Sequence, residues 1–170
     1  MQRFNFLLII GFIILLSSCS KEVKKESIII EKKLGSQAIE AFNEGKKALE
    51  EGDSLFAAKK FNEVEILFPQ SDLAPRSLLM AAYAYYFQDY YQDAVAELQR
   101  FLRVYPLHEN IDYAYYLLAI SYYEQIVDEK KDLQSIINAK ENFDIVIKKF
   151  PDTDYALDAK FKIGLINDRT

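Results

Sequence analysis

Apolar positions along this chain recur with a helical rhythm, and the rhythm itself repeats. Counting back from Pro69, the residues 12, 8 and 5 positions earlier are Ala57, Phe61 and Val64; from Pro106 they are Ala94, Leu98 and Phe101; from Pro151 they are Ala139, Phe143 and Val146. Steps of four and three place a small, a large and a medium residue on one helical face. A second pattern precedes each of these. Gly45, Ala82 and Ala119 hold a small position, followed three residues on by Ala48, Tyr85 and Tyr122. Each unit therefore reads as two helices packed along a seam. Its end is marked by an aromatic-proline pair, Phe68-Pro69, Tyr105-Pro106 or Phe150-Pro151, since Pro lacks an N–H and disfavours helix at the residue before it.

The pattern predicts paired helices over about 36–51 and 54–68, 75–87 and 91–104, and 111–126 and 133–150. Gly52-Asp53 supplies a positive φ and an N-cap to the first turn, and Pro75 opens the third helix. The repeat resembles the tetratricopeptide type, whose period is about 34 residues, and the expected fold is all-α, a right-handed α-solenoid of tetratricopeptide-like pairs. Units fall at about 38–74, 75–111 and 112–156, with a partial fourth at 157–170. Pro69 to Pro106 is 37 residues and Pro106 to Pro151 is 45. Because both helices of unit three keep their register to the flanking prolines, the 8 extra residues belong between them, at about 127–133. The fourth-unit helix, from about Leu157, has no partner before Thr170. A solenoid needs a capping element over its last apolar surface, so the natural chain is expected to continue.

In such arrays the first helix of each unit lines a concave groove. The register assigns Ile39, Phe42 and Leu49, then Tyr83, Tyr86 and Phe87, then Tyr113, Tyr116, Ile120 and Tyr123 to that side. Phe42, Tyr83, Tyr86, Tyr113, Tyr116 and Tyr123 are the candidate peptide groove. Tyr85 and Tyr122 fall on the seam instead and are expected in the core, with Tyr90, Tyr91 and Tyr115 filling contacts between units. The chain has 12 Tyr and no Trp, and most of the Tyr lie between Tyr83 and Tyr123. Tyrosine combines contact area at low entropy cost with a hydroxyl for backbone groups. An extended peptide with alternating apolar side chains, the pattern of a barrel strand, suits such a surface. Lys46, Arg76 and Arg103 are the cations placed to meet a terminal carboxylate.

Residues 1–18 form a separate system. Arg3 precedes an apolar run from Phe4 to Leu16, and Leu16-Ser17-Ser18-Cys19 follows. That run has the length of a signal-peptide core and is short for a membrane span. Leu-Ser-Ser-Cys resembles a bacterial lipoprotein processing box, which implies cleavage before Cys19 and its acylation by chains such as palmitate. Ser20 after the cysteine, in place of Asp, resembles the sorting signal for the outer membrane. Each buried methylene of the acyl chains adds roughly 0.8 kcal/mol to anchoring. Residues 19–35 read as a flexible tether with one apolar break, Ile28-Ile29-Ile30, which the sequence leaves free either to hang loose or to occupy the groove. About 16 extended residues would span some 50 Å. Cys19 is the chain's one cysteine, so no internal disulfide is available.

With the leader removed, 20 basic residues face 26 acidic ones, and no basic stripe stands out, which argues against nucleic acid as a partner. His108, the one histidine, lies in the turn between units two and three and reads as a turn or capping residue. No nucleophile motif, calcium-loop spacing or glycine-rich phosphate loop accompanies it. The expectation is a non-enzymatic protein without cofactor or metal.

The lipoprotein leader, the acidic repeat array, the phrase Phe101-Leu-Arg-Val-Tyr-Pro-Leu-His-Glu-Asn-Ile-Asp-Tyr113, the enlarged third unit and Phe150-Pro-Asp-Thr-Asp-Tyr155 together resemble the BamD family of outer-membrane assembly lipoproteins. The turn Pro106-x-His-x-Asn-Ile-Asp-Tyr113 is the most specific of these features. The resemblance runs from the leader to Thr170 and implies the amino-terminal portion of a longer protein. It implies a subunit of the β-barrel assembly machinery, anchored at the periplasmic face of the outer membrane. Its partners would be BamA, other subunits of that machinery and unfolded barrel proteins. Docking residues for BamA are not assigned. A periplasmic adaptor for cell-wall synthesis or division is the alternative of a different class; it predicts cell-wall enzymes as partners and no preference for barrel-strand peptides.

Overall fold

The computed structural model describes residues 23–128 and 133–169. The leader and Cys19 therefore lie outside the described residues, as does most of the 127–133 segment. The described residues form seven helices: α1 Val23–Glu50, α2 Ser54–Leu67, α3 Ala74–Phe87, α4 Tyr91–Val104, α5 Ile111–Asp128, α6 Leu133–Lys149 and α7 Asp154–Arg169. None of them is long and apolar enough to cross a membrane. Gln37–Thr170 form one compact unit, set apart from the residues that precede it.

Among those preceding residues the expected tether is corrected. Its backbone is helical from Val23 onward, because Lys and Glu are strong helix formers and neither Gly nor Pro occurs between 23 and 34.

The compact unit is the array. Ala57, Phe61, Val64, Ala94, Leu98, Phe101, Ala139, Phe143 and Val146 are all fully buried, as the periodic pattern requires. At the small position of the first pair, a Cβ on Gly45 would stand 2.9 Å from the Phe61 ring; glycine lets that ring sit directly on the α1 backbone. Ala82 and Ala119 hold the same position, both fully buried. Tyr85 and Tyr122 pack, half-buried, against the core clusters as the seam register predicts.

The second helix of each unit closes alike. Phe68, Tyr105 and Phe150 donate their backbone N–H to the carbonyls of Val64, Phe101 and Val146 at 2.9, 2.8 and 2.9 Å, and the following proline then ends the helix. Gly52 has φ +85, and the Asp53 carboxylate accepts the Phe56 N–H at 3.1 Å, as the turn chemistry predicted. His108 is a turn residue, its Nδ1 accepting the Asn110 N–H at 3.1 Å and its ring edge-on to Phe101.

The extra length of unit three goes mostly into helix. α5 has 18 residues where α3 has 14, and α6 has 17 where α4 has 14. Each helix of that pair is thus longer by about one turn.

α1 packs on α2 through Phe42 and Gly45 against Phe61, each helix from α2 onward packs on the next, and the first helices α3, α5 and α7 also touch. Units one and two are joined through α2 and α4 by a polar clamp. Arg100 donates to Glu65 at 2.6 Å and to Glu97 at 3.0 Å, while the Asn62 amide donates to Glu97 at 2.9 Å. The outcome is an α-solenoid of tetratricopeptide-like helix pairs.

Candidate functional site

Side by side in the array, α3, α5 and α7 present tyrosines to one another. From α3 come Tyr83 and Tyr86, from α5 Tyr113 and Tyr116, and from α7 Tyr155. Tyr155 stacks on Tyr116 with ring centroids 5.0 Å apart and tilts against Tyr113 at 5.6 Å. Tyr86 packs on Tyr91 of α4 at 5.7 Å, and Tyr83 lies 6.1 Å from the exposed Phe87. All five are half-buried, showing part of each ring to solvent.

Two predicted groove residues are elsewhere. Phe42 is only 6% exposed and meets Phe61 edge-on at 5.4 Å, so it is a core residue of the first pair. Tyr123 is likewise 6% exposed and packs edge-on to Phe143 at 6.3 Å. Phe42 stands three residues before Gly45 and Tyr123 four after Ala119, so both rings share the face of the buried seam. Tyr91 and Tyr115 meet the rings of Tyr86 and Phe150 of their own units, and Tyr90 is exposed.

Tyr155 was missed by sequence reasoning, which starts the fourth unit near Leu157. The helix begins at Asp154 because Thr153 caps it: its Oγ1 accepts the Ala156 N–H at 3.2 Å. A Thr two residues after Pro151 was the available signal. The early start lays Tyr155 beside Tyr113 and brings Asp158 to the Tyr116 hydroxyl, which donates to its carboxylate at 2.8 Å.

The hydroxyls of Tyr83, Tyr86, Tyr113 and Tyr155 make no hydrogen bond to any described residue. Burial raises the Tyr113 hydroxyl well above the ordinary phenol value, with Tyr83, Tyr155 and Tyr86 adding to it. Tyr86 is raised by burial and then by the charges of Glu124 and Asp89. Tyr116 is raised by burial and by its bond to Asp158. Carboxylates stand beside two of these rings, Glu124 and Asp89 near Tyr86 and Asp158 at the Tyr116 hydroxyl. Of the cations considered for a carboxylate ligand, Arg76 lies over the Phe42 ring at 5.4 Å, and Lys46 and Arg103 are exposed. Among the described residues no group of His, Cys, Asp or Glu is arranged to hold a metal ion.

These features define a tetratricopeptide-type helical repeat protein with a tyrosine-lined face. The first tetratricopeptide domain of Spaghetti (RPAP3), solved bound to an HSP90 peptide, superposes with TM-score 0.60 at 16% identity, over 79% of this chain and 94% of that one. The Sgt2 tetratricopeptide domain from Aspergillus fumigatus gives 0.57 at 15% identity, over 78% of each. More narrowly, the family model described as YfiO, outer membrane lipoprotein, matches residues 35–170, and the chain belongs to that family. The outer membrane protein assembly factor BamD of Caulobacter vibrioides is 34% identical over 90% of this chain and 49% of its own length. That of Rickettsia prowazekii is 36% identical over 95% of this chain and 61% of its own length. The chain thus spans about half to three fifths of the relatives it matches.

Proposed function

We propose that this chain is a non-enzymatic part of the outer-membrane β-barrel assembly machinery, and that its α3–α5–α7 face binds extended segments of unfolded barrel proteins. The observation that carries the reading is the set of five half-buried tyrosines on three successive first helices, in a chain whose relatives are assembly factors. Their rings offer apolar contact area. The hydroxyls of Tyr83, Tyr86, Tyr113 and Tyr155 offer donors and acceptors to the backbone of a peptide that has no sheet partner of its own. Cys19 would carry the lipid anchor and hold the array at the periplasmic face of the outer membrane, and the same array would scaffold BamA and other subunits.

Binding of fluorescent peptides to the full chain in non-ionic detergent tests the reading. A peptide with a barrel strand's alternation and a terminal Phe should bind more tightly than its scramble, and Tyr113→Ala with Tyr116→Ala should weaken it at least tenfold, helicity being retained by circular dichroism. Equal or absent binding of both peptides would overturn the groove assignment. For the anchor, Cys19→Ser should shift the protein out of the membrane fraction, and mass spectrometry of the parent protein should show acyl chains on Cys19.

A further inference from the structure

Four aromatic rings of the array are covered by the protein's own cations. Lys60 lies over Phe56 at 5.7 Å, Arg76 over Phe42 at 5.4 Å, Lys149 over Tyr115 at 5.4 Å and Lys162 over Tyr123 at 4.8 Å. The tyrosines of the α3–α5–α7 face have no such cover among the described residues. Neither do the carboxylates beside them: Asp158, Glu124 and Asp89 form no ion pair with a described Lys or Arg. Lys162 stands one helical turn beyond Asp158 and lies over Tyr123 instead.

Rings whose π-faces are half open, next to carboxylates without counter-ions, are complementary to a cation. The quadrupole of each ring attracts it over the face, and the carboxylate supplies full charge from the edge. A carboxylate-bearing ligand would meet repulsion from Asp158 at Tyr116 and from Glu124 near Tyr86. We infer that the Tyr116–Tyr155–Asp158 corner, with Tyr86 next to it and Glu124 on the far side of Tyr86, is a subsite for a Lys or Arg side chain of the extended segment bound along this face. The inference rests on the peptide-binding reading above and adds a charge preference to it. Apolar side chains of the segment lie on the tyrosine rings, its backbone meets the free hydroxyls of Tyr83 and Tyr113, and one cationic side chain reaches the carboxylates.

Three decapeptides of identical apolar alternation, differing only in a central Lys, norleucine or Glu, separate the contributions when titrated against the full chain in non-ionic detergent. The Lys peptide should bind roughly three- to tenfold more tightly than norleucine, and Glu more weakly than either. Raising salt should narrow that spread. Asp158→Asn with Glu124→Gln should abolish the preference, so that the Lys, norleucine and Glu peptides bind alike. Equal binding of Lys and norleucine, or a preference unchanged in the double variant, would overturn the subsite and leave the groove standing. Failure of all three peptides to bind would overturn the groove reading and this inference with it.

Discussion

Gly45 and Gly164 show how much one hydrogen can weigh. Both lie inside helices, where replacing Gly with Ala ordinarily stabilises by about 1 kcal/mol. At Gly164 nothing stands within 4 Å of the added methyl, so Gly164→Ala should raise the urea midpoint. At Gly45 the methyl would be 2.9 Å from the Phe61 ring, itself fully buried and unable to swing aside. Overpacking costs about 1–3 kcal/mol, which outweighs the propensity gain, so Gly45→Ala should lower the midpoint. Two shifts of the same sign would show that the ring has room to give. Tyrosine ionisation provides a second residue-scale test. Burial raises the hydroxyls of Tyr85, Tyr86, Tyr105, Tyr113, Tyr116 and Tyr122 above the ordinary value. A raised folded-state value means the folded protein holds protons that the unfolded chain gives up. That contribution is complete below about pH 10 and is lost as pH climbs through the folded values. Helicity should therefore fall together with the rise in tyrosinate absorbance above pH 10. All 12 Tyr ionising together near pH 10 with helicity intact would contradict the packing described.

Helix pairs are where the sequence was most legible, because a seam is written by steric size at fixed spacing. The α4 limits agree with the periodic pattern, and α2, α3 and α6 differ from it by a single residue at one end. The readings that differ involve forces a periodic pattern does not encode. α1 extends back to Val23 through a Lys- and Glu-rich stretch free of Gly and Pro, and α7 begins early on a threonine cap. The tyrosine face was legible at Tyr83, Tyr86, Tyr113 and Tyr116. Phe42 and Tyr123 were misplaced because they stand three residues before Gly45 and four after Ala119, on the same helical face as those seam positions. The Arg100 clamp between α2 and α4 was not legible at all, since its partners Glu65 and Glu97 are 35 and 3 residues away and read as ordinary surface charges. Glu65→Ala should cost about 1–3 kcal/mol by leaving Arg100 without its closest, largely buried partner, a figure discounted for the clamp's partial exposure. Glu65→Leu with Arg100→Met should recover most of it. A double variant as unstable as the single one would mean that the clamp does more than satisfy its own charges.

Across the whole array, apolar surface is distributed unevenly. On α7, Ala156, Ala159 and Ile166 are buried, while Leu157 and Phe161 are 70% and 63% exposed on the opposite face, with Gly164 in line with them. Leu157→Lys with Phe161→Lys should change stability, read from the urea midpoint, by no more than about 0.5 kcal/mol. A large loss of stability would place those side chains inside the fold. The long third pair has a different consequence. An added turn on each of two facing helices prolongs a seam without rotating it, because four residues return a side chain to nearly the same azimuth. Length can therefore vary from unit to unit in steps of a turn per helix, and a pair can grow outward at one edge while its neighbours stack as before. Insertions of other sizes would have to be thrown out as loops, so the spacing between the prolines of such a chain is quantised by helix pitch.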